Sequence, residues 1–309
     1  RAPDSTDQNS GYDQTRADFD FDRGSNAAAS RINSSGLIEK YRENVALHSN
    51  DFSNAYWITG AGTKPTTTQD QTDPFGNENN AWTITGAGTQ YGRLMLPSQV
   101  ISTTITTLSF FVKQGTANEI TIWTAQSSVA SLTYNFDTQV ISGVNGVYNV
   151  IRKVDDIGNG WYRIAMSLNR SSGTSSETWG LKFDGSSDSV ILYGAQQETG
   201  LVATDYLDST SVTGKAGVLV DLPRINYDAN GENGALLLEP SRANLVQNSE
   251  YFGGSEWSKY LTTITPNNIV SPSGYQDANL ATSTAGGDLK NILSLATNTT
   301  YTVSFYVKK

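Results

Sequence analysis

The sequence contains no cysteine and only one histidine among its 309 residues. Without cysteine the chain has no disulfide and no thiol nucleophile, and no zinc site can be built on thiolates. A single histidine also excludes histidine clusters as metal sites. No apolar run approaches the roughly 20 residues that a membrane helix needs, so we expect no membrane insertion. The sequence therefore predicts neither a bound metal nor a cofactor.

Positive charge is scarce and scattered along the chain. There are 21 Lys and Arg against 30 Asp and Glu, which gives a net charge of −9 and a sequence pI of about 4.6. Binding to nucleic acid needs clustered cations that neutralise phosphates, so we expect no nucleic-acid partner. The chain is rich in Thr, Ser, Asn and Gly, which are the residues of strands and turns.

An internal repeat divides the chain. Residues 44–57 (NVALHSNDFSNAYW) return as residues 244–257 (NLVQNSEYFGGSEW), with Asn, Ser, Phe and Trp at a constant offset of 200. Two further matches keep the same order: Pro74 and Gly76 with Pro272 and Gly274, and residues 108–113 with residues 303–308. Three matches in one order predict two copies of one module.

The first copy alternates apolar and polar residues with a period of two. The pattern is clear in Leu132, Tyr134 and Phe136, and glycine and asparagine turns separate such runs at short intervals. Eight or more strands over about 160 residues predict a mainly β fold of tandem antiparallel β-sandwich modules of jelly-roll kind. Only residues 37–42 suggest a short helix, of marginal length.

These patterns predict four segments along the chain. Residues 1–43 form an extended N-terminal arm, residues 44–206 a first sandwich, residues 207–243 a connector and residues 244–309 the first half of a second sandwich. Half a sandwich would leave a strand edge unpaired, so we expect the natural polypeptide to continue past residue 309.

The arm has few large apolar residues, and they are isolated from one another. Tyr12 stands alone in residues 1–16, and Phe19 and Phe21 lie among aspartates. Such a segment cannot offset its own ordering entropy. We therefore expect the arm to anchor on another subunit, with Tyr12, Phe19 and Phe21 as the anchoring residues.

Several longer stretches resemble modules found repeatedly in tailed-bacteriophage virion proteins. They are GNGWYR (158–163), YGAQQETG (193–200) and ATDY (203–206), with further matches at residues 33–39, 223–227, 236–245 and 248–252. The first copy departs from the pattern at residues 41–43 (YRE), where the second has the fuller LEPSR run (238–242). In that family similar stretches occur in tail-fibre, head-fibre and spike proteins.

The resemblance implies an architecture and a location. It implies a sandwich like that of a carbohydrate-binding module, a place in the virion, and contacts with other virion proteins of the capsid, portal, connector or tail. Fibres of this family are usually trimeric, so it also implies a homo-oligomer, of which a trimer is the usual form.

Catalytic interpretations find little support in the residues. A catalytic triad would need His48 with Ser49 and Asp51, and the second copy has Asn248 in place of His48. Glycoside hydrolysis needs only two carboxylates, but the candidates fall mostly in turns, where aspartate caps its own backbone: Asp137, Asp155, Asp156, Glu177, Asp184, Asp188 and Glu198. We therefore predict no enzymatic activity.

Calcium is the metal whose oxygen ligands the chain could supply. The run from Asp228 to Gly234, and the pair Asp184 and Asp188, resemble calcium loops faintly. The run lacks a distal bidentate glutamate in register, so we interpret it as a turn.

Binding a glycan requires an exposed aromatic ring with polar neighbours. Trp123 shares a strand face with Thr121, and Trp161 shares one with Arg163, so these two tryptophans and Arg163 are the candidate ligand-binding residues. An equally favoured alternative is packing under a loop or against another subunit. The remaining tryptophans of the first copy are predicted to lie in the core: Trp57, Trp82 and Trp179.

Three functions remain open from the sequence. The favoured one is a non-enzymatic structural protein of the virion, a fibre or spike component anchored through its arm. The second is a receptor-binding module that holds a glycan of the host surface. The third is a set of ancillary binding modules of a polysaccharide hydrolase.

Overall fold

A computed structural model describes residues 29–59, 63–87, 91–101, 104–125, 129–170, 173–185, 187–219, 222–239 and 243–309. These ranges contain strands and turns but no helix, and hence none that is long and apolar enough to cross a membrane. The strands, numbered β1 to β20 in chain order, are Ser30–Ile32, Ile38–Lys40, Arg42–Asn44, Thr66–Gln71, Ala81–Thr85, Tyr91–Met95, Gln99–Ile101, Thr106–Gln114, Glu119–Ala125, Ser131–Asn135, Ile141–Ser142, Tyr148–Gly158, Trp161–Arg170, Ser175–Asp184, Ser189–Thr199, Gly214–Ala216, Ile225–Asn226, Ala235–Leu236, Trp257–Ile269 and Ala278–Asn291. The predicted anchoring residues Tyr12, Phe19 and Phe21 lie outside the described residues.

Two six-stranded antiparallel sheets form the central sandwich. The first has the strand order β11-β10-β9-β14-β6, with β7 also paired to β14, and the second has the order β12-β13-β8-β15-β5-β4. Strands distant in sequence are neighbours in both sheets, since β14 lies between β9 and β6 and β8 lies between β13 and β15. The prediction of a mainly β fold built on an antiparallel sandwich is confirmed.

The inward residues of both sheets meet in one core. Ile120 and Ile122 of β9 and Leu181 of β14 pack with Phe110 of β8 and Ile164 of β13. Burying a large apolar side chain contributes about 1.5 to 3 kcal/mol, so this interior is the main source of the sandwich's stability. The predicted core tryptophans Trp57, Trp82 and Trp179 are all buried.

The helix predicted near residues 37–42 is wrong. Ile38–Lys40 is β2, which pairs with β1, and Arg42–Asn44 is β3. The side-chain oxygen of Asn33 accepts hydrogen bonds from the backbone N–H groups of Ser35 and Leu37, and Gly36 follows at φ +74°. This asparagine turn closes a hairpin, which outcompetes a helix of about one and a half turns.

A second hairpin of the same kind joins β17 to β18. The side-chain oxygen of Asp228 accepts hydrogen bonds from the N–H groups of Asn230 and Glu232, and Gly231 has φ +75°. The two hairpins are hydrogen-bonded to each other, since the N–H group of Tyr227 donates to the carbonyl of Ile32 at 3.0 Å. Asn33 and Asp228, which lie before the repeated segments at residues 44–57 and 244–257, thus form turns of the same kind.

The chain divides into two compact units. One comprises the residues up to Arg42 with Lys215–Ala243 and Pro272–Gly274, and it contains the two hairpins. The other comprises Glu43–Gly214, Asn244–Ser271 and Tyr275–Lys309, and it contains the sandwich. The sequence-based division into arm, first sandwich, connector and half sandwich stays a prediction.

The first matching segment of the repeat has the same local geometry in both copies. His48 and Asn248 are both left-handed, with φ of 48° and 47°. The indole N–H of Trp57 donates to the carbonyl of His48 at 3.0 Å, and that of Trp257 donates to the carbonyl of Asn248 at 3.3 Å. The match at residues 303–308 is not reproduced, because they form no strand whereas residues 108–113 lie in β8. In the sandwich β8 pairs on both sides, with β13 and β15, and the described second copy offers no such pairing.

Candidate functional site

Trp123 lies on the outer face of the first sheet. It belongs to β9, where it stands opposite Ser131 of β10 and Gly180 of β14. Successive side chains of a strand point to opposite faces of the sheet. Ile120 and Ile122 therefore point into the core, and the half-buried Trp123 ring lies on the opposite face. Its indole nitrogen has no hydrogen-bond partner among the described residues.

Two cations flank the Trp123 ring. The guanidinium carbon of Arg93 is 5.4 Å from the ring centroid, and the amine of Lys182 is 5.5 Å from it. Arg93 of β6 and Lys182 of β14 are direct cross-strand partners. Contact of each cation with the ring contributes about 0.5 to 2 kcal/mol. The indole therefore helps to hold two positive charges side by side.

Threonines continue this arrangement across the sheet. Lys182 is the cross-strand partner of Thr121 in β9, and Thr121 is the partner of Thr133 in β10. The two threonine hydroxyls are 2.9 Å apart and hydrogen-bonded. We call Arg93, Lys182, Thr121, Thr133 and Trp123 the Trp123 face. It combines an aromatic ring, two cations and hydroxyl groups on rigid strands.

Trp161 does not belong to this face, and the prediction that it offers an exposed ring is wrong. It lies on the outer side of the second sheet but is only 2% exposed. It packs in a cluster with Ala81, Phe111 and Tyr193, against which Tyr206 also packs. The strand period gave the correct side of the sheet, and the chain that follows β15 covers that side.

Arg163 is held in the same cluster. Its guanidinium lies 4.8 Å from the ring centroid of Phe111 and donates to the hydroxyl of Ser109 at 3.3 Å. Burial lowers the pKa of Arg163, while the nearby carboxylates of Glu198 and Asp205 act in the opposite direction. Trp123 and Arg163 thus lie on different sheets, and the three candidate residues do not form one site.

The residues around His48 do not form a catalytic triad. The hydroxyl of Ser49 is 2.7 Å from the Tyr206 hydroxyl and donates to Asp208 at 3.1 Å. Burial raises the pKa of Tyr206, so this phenol stays protonated at neutral pH. An open depression of about 360 Å³ lies beside His48, lined by Asn50, Asp51, Asn80, Tyr193, Asp208, Ser209 and Thr210. The partners of Ser49 give it a structural role at the edge of this depression.

Two of the carboxylates considered for hydrolysis are buried in strands. Glu177 of β14 accepts hydrogen bonds from the hydroxyls of Tyr148, at 2.6 Å, and Ser175. Glu198 of β15 accepts from the N–H group of Thr204 at 2.9 Å and from its hydroxyl at 2.5 Å. Both carboxylates fasten neighbouring segments of the sandwich.

The loop at Asp228 is a turn. Its carboxylate oxygens accept from the N–H groups of Asn230 and Glu232 and from the side chain of Asn233, and these bonds lower the pKa of Asp228. Among the described residues, no group of three or more acidic or histidine side chains is placed to hold a metal ion.

Comparison with known proteins gives no match to a family model and none to a curated protein. Among solved structures, the CBM22-1 xylan-binding domain of Xyn10C from Paenibacillus barcinonensis is 12% identical, covering 58% of this chain and 99% of that domain, with a TM-score of 0.34. A CBM61 module (TmCBM61) in complex with beta-1,4-galactotriose is 10% identical, covering 50% of this chain and 97% of the module, with a TM-score of 0.31.

A third solved structure is the enzymatically active domain of tailspike protein 4 from bacteriophage CBA120. It is 14% identical, and the match covers 51% of this chain and 21% of that one, with a TM-score of 0.32. All three TM-scores lie below 0.5, so the function proposed below rests on the chain's own residues.

Proposed function

We propose that this protein is a non-enzymatic structural component of a bacteriophage fibre or spike, and that its central sandwich binds a glycan through the Trp123 face. The observation that carries the binding proposal is the half-buried Trp123 ring on the outer side of a rigid sheet, with cations and hydroxyls beside it. Sites for small ligands combine aromatic surface with a few placed polar groups.

The chemistry of a sugar fits these groups. The apolar side of a pyranose ring packs on an indole, and its hydroxyls need hydrogen-bond partners around the ring. Arg93 and Lys182 supply donors on one side of Trp123, and the hydroxyls of Thr121 and Thr133 lie further along the same row. Because all five side chains project from paired strands, little ordering entropy is lost on binding.

The virion context is supported by the resemblance of the sequence to phage fibre and spike modules. From the same resemblance we propose two kinds of partner, other virion proteins and further copies of this chain. A trimer is the oligomer that the resemblance favours. Particle assembly tests it directly. Particles lacking the protein should incorporate the full chain, and a chain that begins at residue 30 should fail to attach. Equal incorporation of both would refute the anchoring role of the arm.

Glycan binding is tested with purified full chain on a glycan array, followed by calorimetry on the best ligand. Trp123→Ala should lower affinity at least about tenfold, or 1.4 kcal/mol. Phe75→Ala is the matched control, because Phe75 is an aromatic residue 64% exposed on the other sheet's side, in contact with Phe111 and Tyr193. Loss of binding in both variants, or in neither, would contradict the proposed site.

The hydrolase alternative is tested in a separate assay with the full-length gene product. Release of reducing ends from a bound polysaccharide by the full-length gene product would favour ancillary modules of a hydrolase. Binding without release agrees with the structural role.

A further inference from the structure

We propose that the loop at residues 74–76 is a docking site for a second copy of this chain, which binds there through residues 236–238 of its β17–β18 hairpin. The inference rests on the homo-oligomer of the proposed function and names the two surfaces that join its subunits.

The second repeat copy already holds a hairpin in this way. Its loop Pro272–Gly274 belongs to the same compact unit as the hairpin of β1 and β2. The backbone N–H of Ile38 donates to the carbonyl of Pro272 at 2.9 Å. Leu37 lies so close that a Cβ atom added to Gly274 would be 2.8 Å from its Cδ1 atom. The edge of a hairpin and this loop therefore fit each other within the chain.

The first repeat copy forms a loop of the same geometry. The N–H group of Asp73 donates to the carbonyl of Asn77 at 3.0 Å. The equivalent bond of the second copy runs from Ser271 to Tyr275 and measures 2.9 Å. The glycine of each loop is left-handed, with φ of 93° in the first copy and 86° in the second. Both loops thus present the same backbone to a partner.

The loop of the first copy is open. Phe75 at its centre is 64% exposed. Apart from its chain neighbours, no described residue lies within 4 Å of a Cβ atom added to Gly76. In the described part of the chain, no backbone N–H group donates to the carbonyl of Pro74, the counterpart of Pro272. The position that Leu37 fills in the second copy is therefore empty in the first.

The β17–β18 hairpin carries the matching edge. At the offset of 200, the segment LIE (37–39) returns as LLE (237–239). In each hairpin an arginine is ion-paired with the glutamate of this segment, Arg31 with Glu39 at 2.7 Å and Arg224 with Glu239 at 3.0 Å.

This edge is open as well. Leu238, the counterpart of Ile38, is 78% exposed, and no carbonyl of the described residues accepts a hydrogen bond from its N–H group. One chain thus has both a hairpin edge that no loop covers and a loop that no hairpin covers.

The two surfaces complement each other. Leu236 and Leu238 are exposed on the hairpin, and Phe75 on the loop is held by ring contacts with Phe111 and Tyr193. Apolar groups on a rigid support lose little entropy on binding. Because each chain carries both surfaces, the contact between copies is head-to-tail, and such contacts close into rings or continue as filaments. A ring of three is the trimer that the resemblance favours.

The contact can be tested with single cysteines, because the chain has none of its own. Phe75→Cys and Leu238→Cys variants of the full chain are mixed in equal amounts with a mild oxidant. We expect the disulfide between the two different variants at least about tenfold in excess over that formed by either alone, because a disulfide needs Cα atoms within about 7 Å. Val212→Cys is the control in place of Phe75→Cys, since Val212 is an apolar residue 68% exposed, and it should give no excess.

Aspartate substitutions test whether the contact drives association. Phe75→Asp and Leu238→Asp should each raise the dissociation constant at least about tenfold, because each places a carboxylate in an apolar contact. Sedimentation velocity over about 1 to 100 μM measures this change. An equimolar mixture of the two variants keeps one intact pair of surfaces and should form a 1:1 complex that grows no further. Val212→Asp should associate like the unchanged chain, and thermal unfolding checks that each variant is folded.

The outcomes distinguish this inference from the function on which it rests. An unchanged chain that stays monomeric up to about 100 μM would overturn both the docking site and the homo-oligomer. An oligomer that neither aspartate variant weakens would refute these surfaces and leave the homo-oligomer in place. In a chain that carries both cysteines, a disulfide confined within single chains would refute a second copy as the occupant.

Discussion

Asn44 is the residue whose replacement tests the sandwich most sharply. It is fully buried, and its amide nitrogen donates to the carbonyls of Ala195, at 2.9 Å, and Leu207, at 2.7 Å. Its side-chain oxygen accepts from the N–H groups of Ala46, at 3.1 Å, and Gln197, at 3.0 Å. One side chain thus joins the start of the repeat, strand β15 and the segment that follows it.

Replacement of Asn44 by alanine leaves four backbone groups without these partners, and three of the four lost hydrogen bonds are buried. An unsatisfied buried polar group costs about 1 to 3 kcal/mol, and relaxation or entry of water recovers part of the sum. We expect Asn44→Ala to lower the free energy of unfolding by about 3 to 5 kcal/mol. For a cooperative unit of 150 to 250 residues this corresponds to a Tm lower by roughly 6 to 20 °C.

Asn44→Asp adds a dependence on pH with a defined sign. The substitution keeps the acceptor oxygen but points a second oxygen at the carbonyls of Ala195 and Leu207. The ionised form is repelled and desolvated, so the pKa of the new carboxyl in the folded state rises above its unfolded value of about 3.9. The destabilisation is therefore full at pH values above the folded pKa and shrinks as the pH falls through it towards the unfolded value.

The assay is thermal unfolding followed by circular dichroism and calorimetry between pH 3.5 and 8. Asn244→Ala is the matched control, because Asn244 is the repeat equivalent, is exposed, and has local hydrogen bonds to Val246 N–H and the Ser249 hydroxyl. It should cost less than about 1 kcal/mol. A loss below about 1 kcal/mol for Asn44→Ala, or a deficit for Asn44→Asp that grows towards low pH, would refute the reasoning.

Two further substitutions test other parts of the sandwich. Burial opposes ionisation of Asp73, but hydrogen bonds from Asn77, Asn80 and backbone N–H groups outweigh it and lower the pKa of this carboxyl. The ionised carboxylate therefore stabilises the folded state above about pH 3.8, and this stabilisation is lost as the pH falls through the folded pKa. Asp73→Asn should thus lower the Tm at pH 7 by an amount that narrows below pH 4, and a constant difference would contradict this. Gly92→Ala places a methyl group 2.2 Å from the ring of Phe183, so we expect the free energy of unfolding to fall by about 1 to 3 kcal/mol. Urea unfolding measures this loss, and an unchanged midpoint would show that the ring moves aside freely.

The strands of the sandwich could be predicted because their period is local. In β13, for example, Ile164, Met166 and Leu168 alternate with smaller or polar residues, and this alternation alone assigns the buried side. The hairpin at Asn33 could not be distinguished from a short helix by its apolar residues. Its decisive signal is the asparagine side chain bonded to its own turn, which a reading of apolar periodicity overlooks.

The candidate site was harder to predict, because it depends on pairing between distant strands. Trp123 and its side of β9 follow from the sequence, but Arg93 and Lys182 are 89 residues apart and become neighbours only when β6 pairs with β14. For Trp161 the predicted exposure of the ring is wrong. Its side of β13 was correct, and its burial results from Tyr206 and its neighbours, whose position no strand period reveals.

The repeat helps to separate residues that build the fold from residues that can bind. Trp57 and Trp257 make the same hydrogen bond to the left-handed residue nine positions earlier, which is His48 in one copy and Asn248 in the other. Since asparagine replaces histidine without changing this geometry, His48 acts there through its backbone, and no imidazole chemistry is needed. The Trp123 face lies on β6, β9, β10 and β14, outside all three sequence matches. Substitutions at Trp57 should therefore change stability with little effect on ligand preference, whereas substitutions at Trp123 should change binding while the core beneath it, built on Ile120 and Ile122, stays intact.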